Sequence, residues 1–139
     1  MTIRMATFTL AGHTYGIDVD NVQEVLRSQS RTRVPLAPAA VAGLVNLRGQ
    51  VLTAIDLREQ LQLPPRTDGE EPMVVVIRVA GEPISLLVDS IGDVVDVDPS
   101  LFEPPPDTLG EGSRELVLGA YKLPGRLLLA LDPERAVAV

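Results

Sequence analysis

The chain has 139 residues, of which 45% are hydrophobic but only 3% aromatic, so a core must be built mainly from valine, leucine, isoleucine and alanine. A net charge of −7, with lysine and arginine scattered along the sequence, argues against binding to nucleic acid or to an anionic membrane surface, because both need a basic patch. The absence of cysteine excludes disulfides and thiolate metal sites, and no apolar run is long enough to span a membrane. A chain of this length is expected to form one cytosolic globular domain or two packed subdomains.

Strand patterns dominate the beginning of the chain. Thr7–Leu10 and Thr14–Val19 flank Ala11-Gly12-His13, which predicts a hairpin, and Val22–Leu26 predicts a third strand entering a polar turn at 28–33. Prolines exclude a central strand from the segment that follows. The elements predicted next are a helical turn from Pro38 to about Gly43, a hairpin of Leu44–Leu47 and Gln50–Asp56 with its corner at Arg48-Gly49, and a helix over Leu57–Leu61 capped by Asp56.

A polar, turn-rich linker over Gln62–Pro72 separates this part from a second run of strands. The continuous apolar runs after the linker indicate strands covered on both faces, whereas alternating acids and valines indicate a strand with one wet face. The elements predicted here are strands over Met73–Val79, Ile84–Val88, Asp93–Asp98 and Arg126–Leu131, a loop from Pro104 through Ser113, and a helix start at Asp132-Pro133-Glu134. The predicted class is all-β.

Two blocks of the first half recur in the same order in the second half. Residues 11–25 run parallel to residues 80–94, and residues 41–56 run parallel to residues 117–132. The identities of the second pair are those that a repeated backbone and core require, namely Val41/Val117, Gly43/Gly119, Leu47/Leu123, Gly49/Gly125, Leu52/Leu128, Ala54/Ala130 and Asp56/Asp132. We interpret the chain as a unit of about 70 residues used twice. A chance likeness of two β-hairpins remains the alternative.

The two copies differ at one corner. Asn46 and Arg48 of the first copy are replaced by Lys122 and Pro124 in the second. Because the scaffold is common to both, the Asn-Leu-Arg-Gly corner is predicted to carry a function specific to the first copy.

The residues provide little catalytic chemistry. His13 is the single histidine and falls in a predicted turn, and no serine stands in a nucleophile-elbow pattern. Asp18 with Asp20, and the acids of 93–98, lack the loop glycine and closing bidentate acid of a cation site and are interpreted as solvated strand faces. No catalytic residue, metal or cofactor is expected. A small enzyme or a metal-dependent carboxylate protein remains the rival class.

Five segments together resemble the CheW family of chemotaxis coupling proteins, in register from about Phe8 to Asp132. They are Gly12-x-x-Tyr15-Gly16-Ile17-Asp18-Val19, Val22-Gln23-Glu24-Val25, Val34-Pro35, Gly43-Leu44-Val45-Asn46-Leu47-Arg48-Gly49 and Ile55-Asp56-Leu57-Arg58. The resemblance implies a non-enzymatic adaptor built from two SH3-like five-stranded β-barrels on a shared core. The first barrel is expected over about 1–63 with 126–139, and the second over about 73–125.

The resemblance also implies partners. Family members bridge the cytoplasmic tip of methyl-accepting chemoreceptors to the regulatory domain of a CheA-type histidine kinase, so the chain is expected in the cytoplasm, recruited to receptor arrays by its partners and without direct membrane or nucleic-acid binding. A family member that binds receptors but not the kinase, and serves motility or developmental signalling, is the alternative.

The family's receptor contact falls on one strand and the corner. The residues implied are Val22, Glu24, Gly43, Asn46, Arg48 and Gly49. Glu24 is expected to orient Arg48, whose planar guanidinium suits a carboxylate. Arg48 as a plain surface arginine and Val22 as a plain core residue remain the alternatives.

The kinase contact is expected on the stretch that adjoins the proline-rich turn. Its residues are Pro38, Val41 and Leu44, and Leu44 is expected to face away from the groove used by Asn46 and Arg48. A capped barrel end is the alternative for this apolar group.

Overall fold

The computed structural model describes residues 1–27, 29–67 and 69–139. Ser28 of the predicted turn and Asp68 of the predicted linker lie outside the described residues. The strands formed by the described residues are β1 (Ile3–Leu10), β2 (His13–Asp18), β3 (Val22–Leu26), β4 (Val41–Leu47), β5 (Gln50–Asp56), β6 (Met73–Val79), β7 (Glu82–Val88), β8 (Ser90–Val97), β9 (Val117–Leu123) and β10 (Arg126–Leu131). The α-helices are α1 (Leu57–Gln60), α2 (Glu111–Leu116) and α3 (Pro133–Ala136).

The strands form two five-stranded sheets. The first sheet has the order β8-β1-β2-β10-β9 and the second has the order β3-β6-β7-β5-β4. Strands β2 and β10 are parallel, as are β5 and β7, and the other neighbours are antiparallel. Replacing each strand by the one five places along the chain converts one order into the other, which is the topology that a twofold sequence repeat requires. The predicted all-β fold of two SH3-like units is confirmed.

The strand pairing divides the chain differently from the predicted barrels at 1–63 with 126–139 and at 73–125. Each sheet contains the first two strands of one half and the last three strands of the other half. Strand β3 leaves the β1–β2 hairpin and pairs with β6, while β8 pairs back with β1. The repeated sequence cannot reveal this exchange of strands. Equivalent strands of the two copies have the same pattern of apolar residues, so each could pair with a strand of either copy.

The two sheets share one core and each also encloses its own. The shared core holds buried side chains from both sheets, among them Phe8, Ile17, Ile77 and Leu86. The separate cores occupy matched positions, with Val45, Leu52, Ala54 and Val74 in the second sheet and Tyr121, Leu128, Ala130 and Met5 in the first. Both faces of the central strands are therefore covered, which explains the continuous apolar run of β6.

Matched turns and caps repeat as the strands do. The β1–β2 and β6–β7 turns place Ala11 and Ala80 at φ of 50° and 52°. Asp56 and Asp132 cap α1 and α3 by accepting hydrogen bonds from the backbone N–H two residues later, each at 3.0 Å. The cap predicted at Asp56 is confirmed, and the helix that it caps is short.

Two local predictions were wrong. The helical turn predicted from Pro38 to about Gly43 is instead a turn followed by β4. Strand β4 begins at Val41 because Val41 is the first residue to pair with β5, opposite Ile55. The loop predicted through Ser113 contains the start of α2, and a hydrogen bond of 3.1 Å from Ser113 Oγ to Leu61 O joins α2 to the residue that follows α1. Nothing among the described helices has both the length and the apolar character needed to cross a membrane.

Candidate functional site

The corner between β4 and β5 has a tight two-residue turn. Arg48 and Gly49 have φ of 52° and 85°, as the two central residues of a type I′ hairpin turn require. Asn46 Oδ1 accepts a hydrogen bond of 3.0 Å from the Gly49 N–H and braces the turn from the inside. A left-handed conformation costs a non-glycine residue about 1–2 kcal/mol, so Arg48 adopts a backbone conformation that its side chain disfavours.

The matched corner of the second copy cannot have this shape. Pro124 stands in the place of Arg48, and its ring holds φ near −65°. Gly125 keeps a positive φ of 74°, which fits the Pro-Gly pair of a type II turn. The difference that the sequence showed between the copies is therefore a difference in backbone as well as in side chain.

Arg48 reaches across the second sheet to Glu24. Its Nη2 donates a hydrogen bond to Glu24 Oε2, so the β4–β5 corner is tied to β3, although β3 and β4 lie at opposite edges of the sheet order. The Arg48 side chain is 68% exposed and the Glu24 side chain 21% exposed. The pairing expected from the sequence is present. It holds the guanidinium in one orientation and leaves most of its N–H donors to solvent or to a partner.

Val22 and Gly43 lie closer to the core than the residues of the β4–β5 corner and have a more structural role. Val22 is half-buried and packs against the shared core. A bulge in β3 lies between Val22 and Glu24. Gly43 is buried with φ of 140°, and a Cβ atom there would stand 2.5 Å from Thr32 O. Their contribution to this surface is to set the path of β3 and β4. Gly49 and Asn46, by contrast, are exposed.

The three residues expected to meet the kinase are not equivalent. Pro38 is exposed, Val41 is half-buried against the shared core, and Leu44 is half-buried outside all three core clusters. Leu44 is held to Thr32 by two backbone hydrogen bonds of 2.8 and 2.9 Å. It pairs with Thr53 as Asn46 pairs with Val51, with no irregularity between them, so Leu44 and Asn46 lie on the same face of β4. The expectation that they face different grooves was wrong.

Sequence reasoning missed a charge cluster at the start of the linker. Arg58 grips Asp89 with two hydrogen bonds, of which Nε to Oδ1 measures 2.9 Å, and donates a third to Pro64 O at 2.9 Å. Arg66 joins the cluster, with its Nε 3.0 Å from Asp89 Oδ1 and its Nη1 donating to Asp56 Oδ1 at 3.2 Å. The only sequence signal was Arg58 in the Ile-Asp-Leu-Arg motif.

The cluster favours ionised side chains. Burial opposes the negative charge of Asp89, but the hydrogen bonds from Arg58 and the Ala11 N–H, and the charges of Arg58 and Arg66, outweigh it and hold the Asp89 pKa below its ordinary value. The hydrogen bond to Asp89 correspondingly raises the Arg58 pKa. The cluster fastens the linker over the end of β7.

The acidic residues considered as cation ligands do not converge. In the part of the chain that the structure describes, no three His, Asp or Glu side chains are grouped so that they could hold a metal ion. His13 is an exposed residue at the first position of β2.

Comparison with known proteins gives a consistent result. A family model described as a CheW-like domain matches residues 4–139. The chain is 31% identical over 129 residues to the chemotaxis protein CheW of Bacillus subtilis, covering 93% of this chain and 83% of that protein. It is 29% identical over 131 residues to the protein of the same name from Klebsiella aerogenes, covering 94% and 79%. The scaffolding protein TtCheW of Thermoanaerobacter tengcongensis has a similar structure, with a TM-score of 0.87 and 27% identity over 100% of this chain and 94% of that one.

Proposed function

The chain belongs to the CheW-like domain family, and from that membership we propose that it couples methyl-accepting chemoreceptors to a CheA-type histidine kinase. CheW-family proteins are scaffold or adaptor proteins of chemotaxis and not enzymes. The chain therefore acts by binding other proteins, without a cofactor.

One observation carries the receptor side of the proposal, namely the ion pair between Arg48 and Glu24. A strained, mostly exposed arginine that is oriented by a carboxylate of its own protein is suited to gripping a helix with an acidic or carbonyl-rich edge. Val22, Asn46, Gly43 and Gly49 shape the surface around it. We assign this surface to the receptor tip.

The kinase side is assigned to Pro38, Val41 and Leu44. Of these three, only Val41 packs against a core cluster, so the apolar surfaces of Pro38 and Leu44 are free to meet a partner. In this proposal the protein works in the cytoplasm, reaches receptor arrays only through its partners, and binds neither membrane nor nucleic acid directly.

The shared face of Leu44 and Asn46 supports a second candidate. If one continuous face of β4 serves a single partner, the protein binds receptors without the kinase and serves motility or developmental signalling. The two candidates differ in one measurable property, which is binding to the kinase.

Isothermal titration of the full-length chain against a receptor cytoplasmic tip and, separately, against a kinase regulatory domain tests both candidates. Binding to each partner, and a ternary complex when both are present, is the result expected for the coupling protein. Receptor binding alone would establish the second candidate. Failure to bind the receptor tip would refute both.

A further inference from the structure

The connection between β3 and β4, residues 27–40, concentrates positive charge in an acidic protein. It contains three arginines and no acidic residue, although the whole chain has a net charge of −7. The connection at the matched place in the second half, residues 98–116, has five acidic residues against one arginine. The basic residues that look scattered along the sequence are therefore unevenly distributed between two equivalent loops.

These arginines have no ionic partner among the residues that the structure describes. Across the described residues, no carboxylate lies within salt-bridge distance of Arg27, Arg31 or Arg33, and all three are exposed. By contrast, Arg58 and Arg66 are each paired with carboxylates. Three neighbouring guanidinium groups, none of them paired with a described carboxylate, create a local positive potential in which an acidic ligand is favoured.

Two of the three arginines, Arg31 and Arg33, border a groove of about 990 Å³. They line it together with an apolar run from Val34 to Pro38. Two acidic residues, Asp56 and Glu71, are also in its wall, and Asp56 is paired with Arg66. Leu36 stands at the tip of this run, fully exposed and at φ of 63°. A large apolar side chain that is both exposed and held in a left-handed conformation is costly for the free protein, and such positions cluster at binding sites.

We infer that this groove docks an acidic segment of the kinase regulatory domain, with carboxylates of the segment pairing with Arg31 and Arg33 and an apolar side chain packing on Leu36 and Pro38. The inference rests on the proposed function, because Pro38 and Val41 of the assigned kinase contact line the same groove. The inference adds to the assigned kinase contact a reason for recognition. Guanidinium groups bind carboxylates with defined geometry, and their positive charge speeds association with an acidic segment. A phosphate polymer is disfavoured by the acidity of the rest of the protein.

A charge reversal with a matched control tests the groove. The variant Arg31→Glu/Arg33→Glu and the control Arg78→Glu/Arg126→Glu change the net charge equally, and the control arginines are also exposed and without an ion pair among the described residues. Affinity for the kinase regulatory domain is measured by titration calorimetry at about 50 and 300 mM NaCl. We expect the groove variant to lose at least about tenfold in affinity at low salt and to lose the salt dependence, and the control to change by less than about twofold.

The remaining outcomes are distinguishable. A wild-type chain that does not bind the kinase domain refutes the proposed coupling and this inference together. Wild-type binding that is unchanged in Arg31→Glu/Arg33→Glu, or reduced equally in the control, refutes the groove alone. If the groove variant loses affinity only for the receptor tip, the assigned occupant is wrong. The assignment also fails if light scattering shows that the wild type self-associates and that the groove variant does not. If the double reversal lowers the melting temperature, Arg31→Ala/Arg33→Ala replaces it, with the same result expected.

Discussion

Arg48 and Glu24 form an ion pair between the β4–β5 corner and β3, which stand at opposite edges of the second sheet. The pair closes the sheet on the side where the two copies of the repeat differ. In the second copy, Pro124 and Asp93 match Arg48 and Glu24, and a proline has no charge with which to form this link. Lys122, which matches Asn46, pairs with Glu103. The corner is thus the place where a common scaffold becomes asymmetric.

Replacing Arg48 should separate binding from stability. We expect Arg48→Ala to weaken binding to a receptor tip by at least about tenfold, because an oriented charged anchor is lost. The melting temperature should stay within a few degrees, since an exposed ion pair contributes about 0–1 kcal/mol to folding. Titration calorimetry and thermal denaturation measure the two effects, with Arg126→Ala as the control at the matched hairpin. An unfolded Arg48→Ala protein would make Arg48 a structural residue.

The pairing itself can be measured by a double-mutant cycle. If Glu24 acts by orienting Arg48, then Glu24→Ala should weaken receptor binding, and Glu24→Ala/Arg48→Ala should be little worse than Arg48→Ala alone. A coupling energy of about 0.5 kcal/mol or more is expected for groups in contact. Losses that add would show that the two side chains meet the receptor independently.

Leu44 tests whether one face of β4 serves two partners. Leu44→Glu should abolish binding to the kinase regulatory domain, because a carboxylate replaces an apolar contact. Asn46→Ala, two residues along the same face, should weaken receptor binding and spare the kinase. Both proteins are assayed against both partners, with circular dichroism to check folding. If Leu44→Glu loses both activities and melts earlier, Leu44 is required for folding. If it binds the kinase normally, the interface lies elsewhere.

Gly43 should be required for folding rather than for contact. Its φ of 140° and the 2.5 Å approach to Thr32 O leave no room for a Cβ atom. We expect Gly43→Ala to reduce the free energy of unfolding by roughly 1–3 kcal/mol. Urea denaturation measures this loss. Gly49→Ala is the control: it shares the strain of a positive φ, here 85°, but its added methyl meets no atom within 4 Å, so the additional loss in Gly43→Ala measures the clash. Normal stability in Gly43→Ala would mean that β4 and residue 32 move apart easily.

The cluster around Asp89 should make stability depend on pH in acid. Because the Asp89 pKa is lower in the folded protein, its contribution is present above the unfolded value of about 3.9 and is lost as pH falls through the folded value. At neutral pH, Asp89→Asn should cost roughly 1.5–3 kcal/mol, because Arg58 loses a charged partner. Urea denaturation from about pH 7 to pH 3 should show the difference between wild type and Asp89→Asn shrinking in the acid range. A difference independent of pH would exclude ionised Asp89 as its source.

Local features were readable from the sequence because they depend on neighbouring residues. The repeat, the β1–β2 hairpin, the cap at Asp56 and the both-faces-buried strand β6 all follow from turn residues, side-chain spacing and capping chemistry within a few positions. The Glu24–Arg48 pair was also expected, since the resemblance placed both residues at one contact. Family membership then supplied the class of function.

Tertiary structure alone decided which strands pair and which charges meet. The sequence could not assign β3 to β6 or β8 to β1, because the repeat makes the two alternatives locally identical and only packing around the shared core distinguishes them. Nor could it show that Arg58 and Arg66 converge on Asp89, while Arg31 and Arg33 line a groove and meet no carboxylate in the described parts of the chain. Pairing between charges far apart in the chain depends on where the backbone brings them, and that position is set by burial of the apolar side chains rather than by the charges themselves.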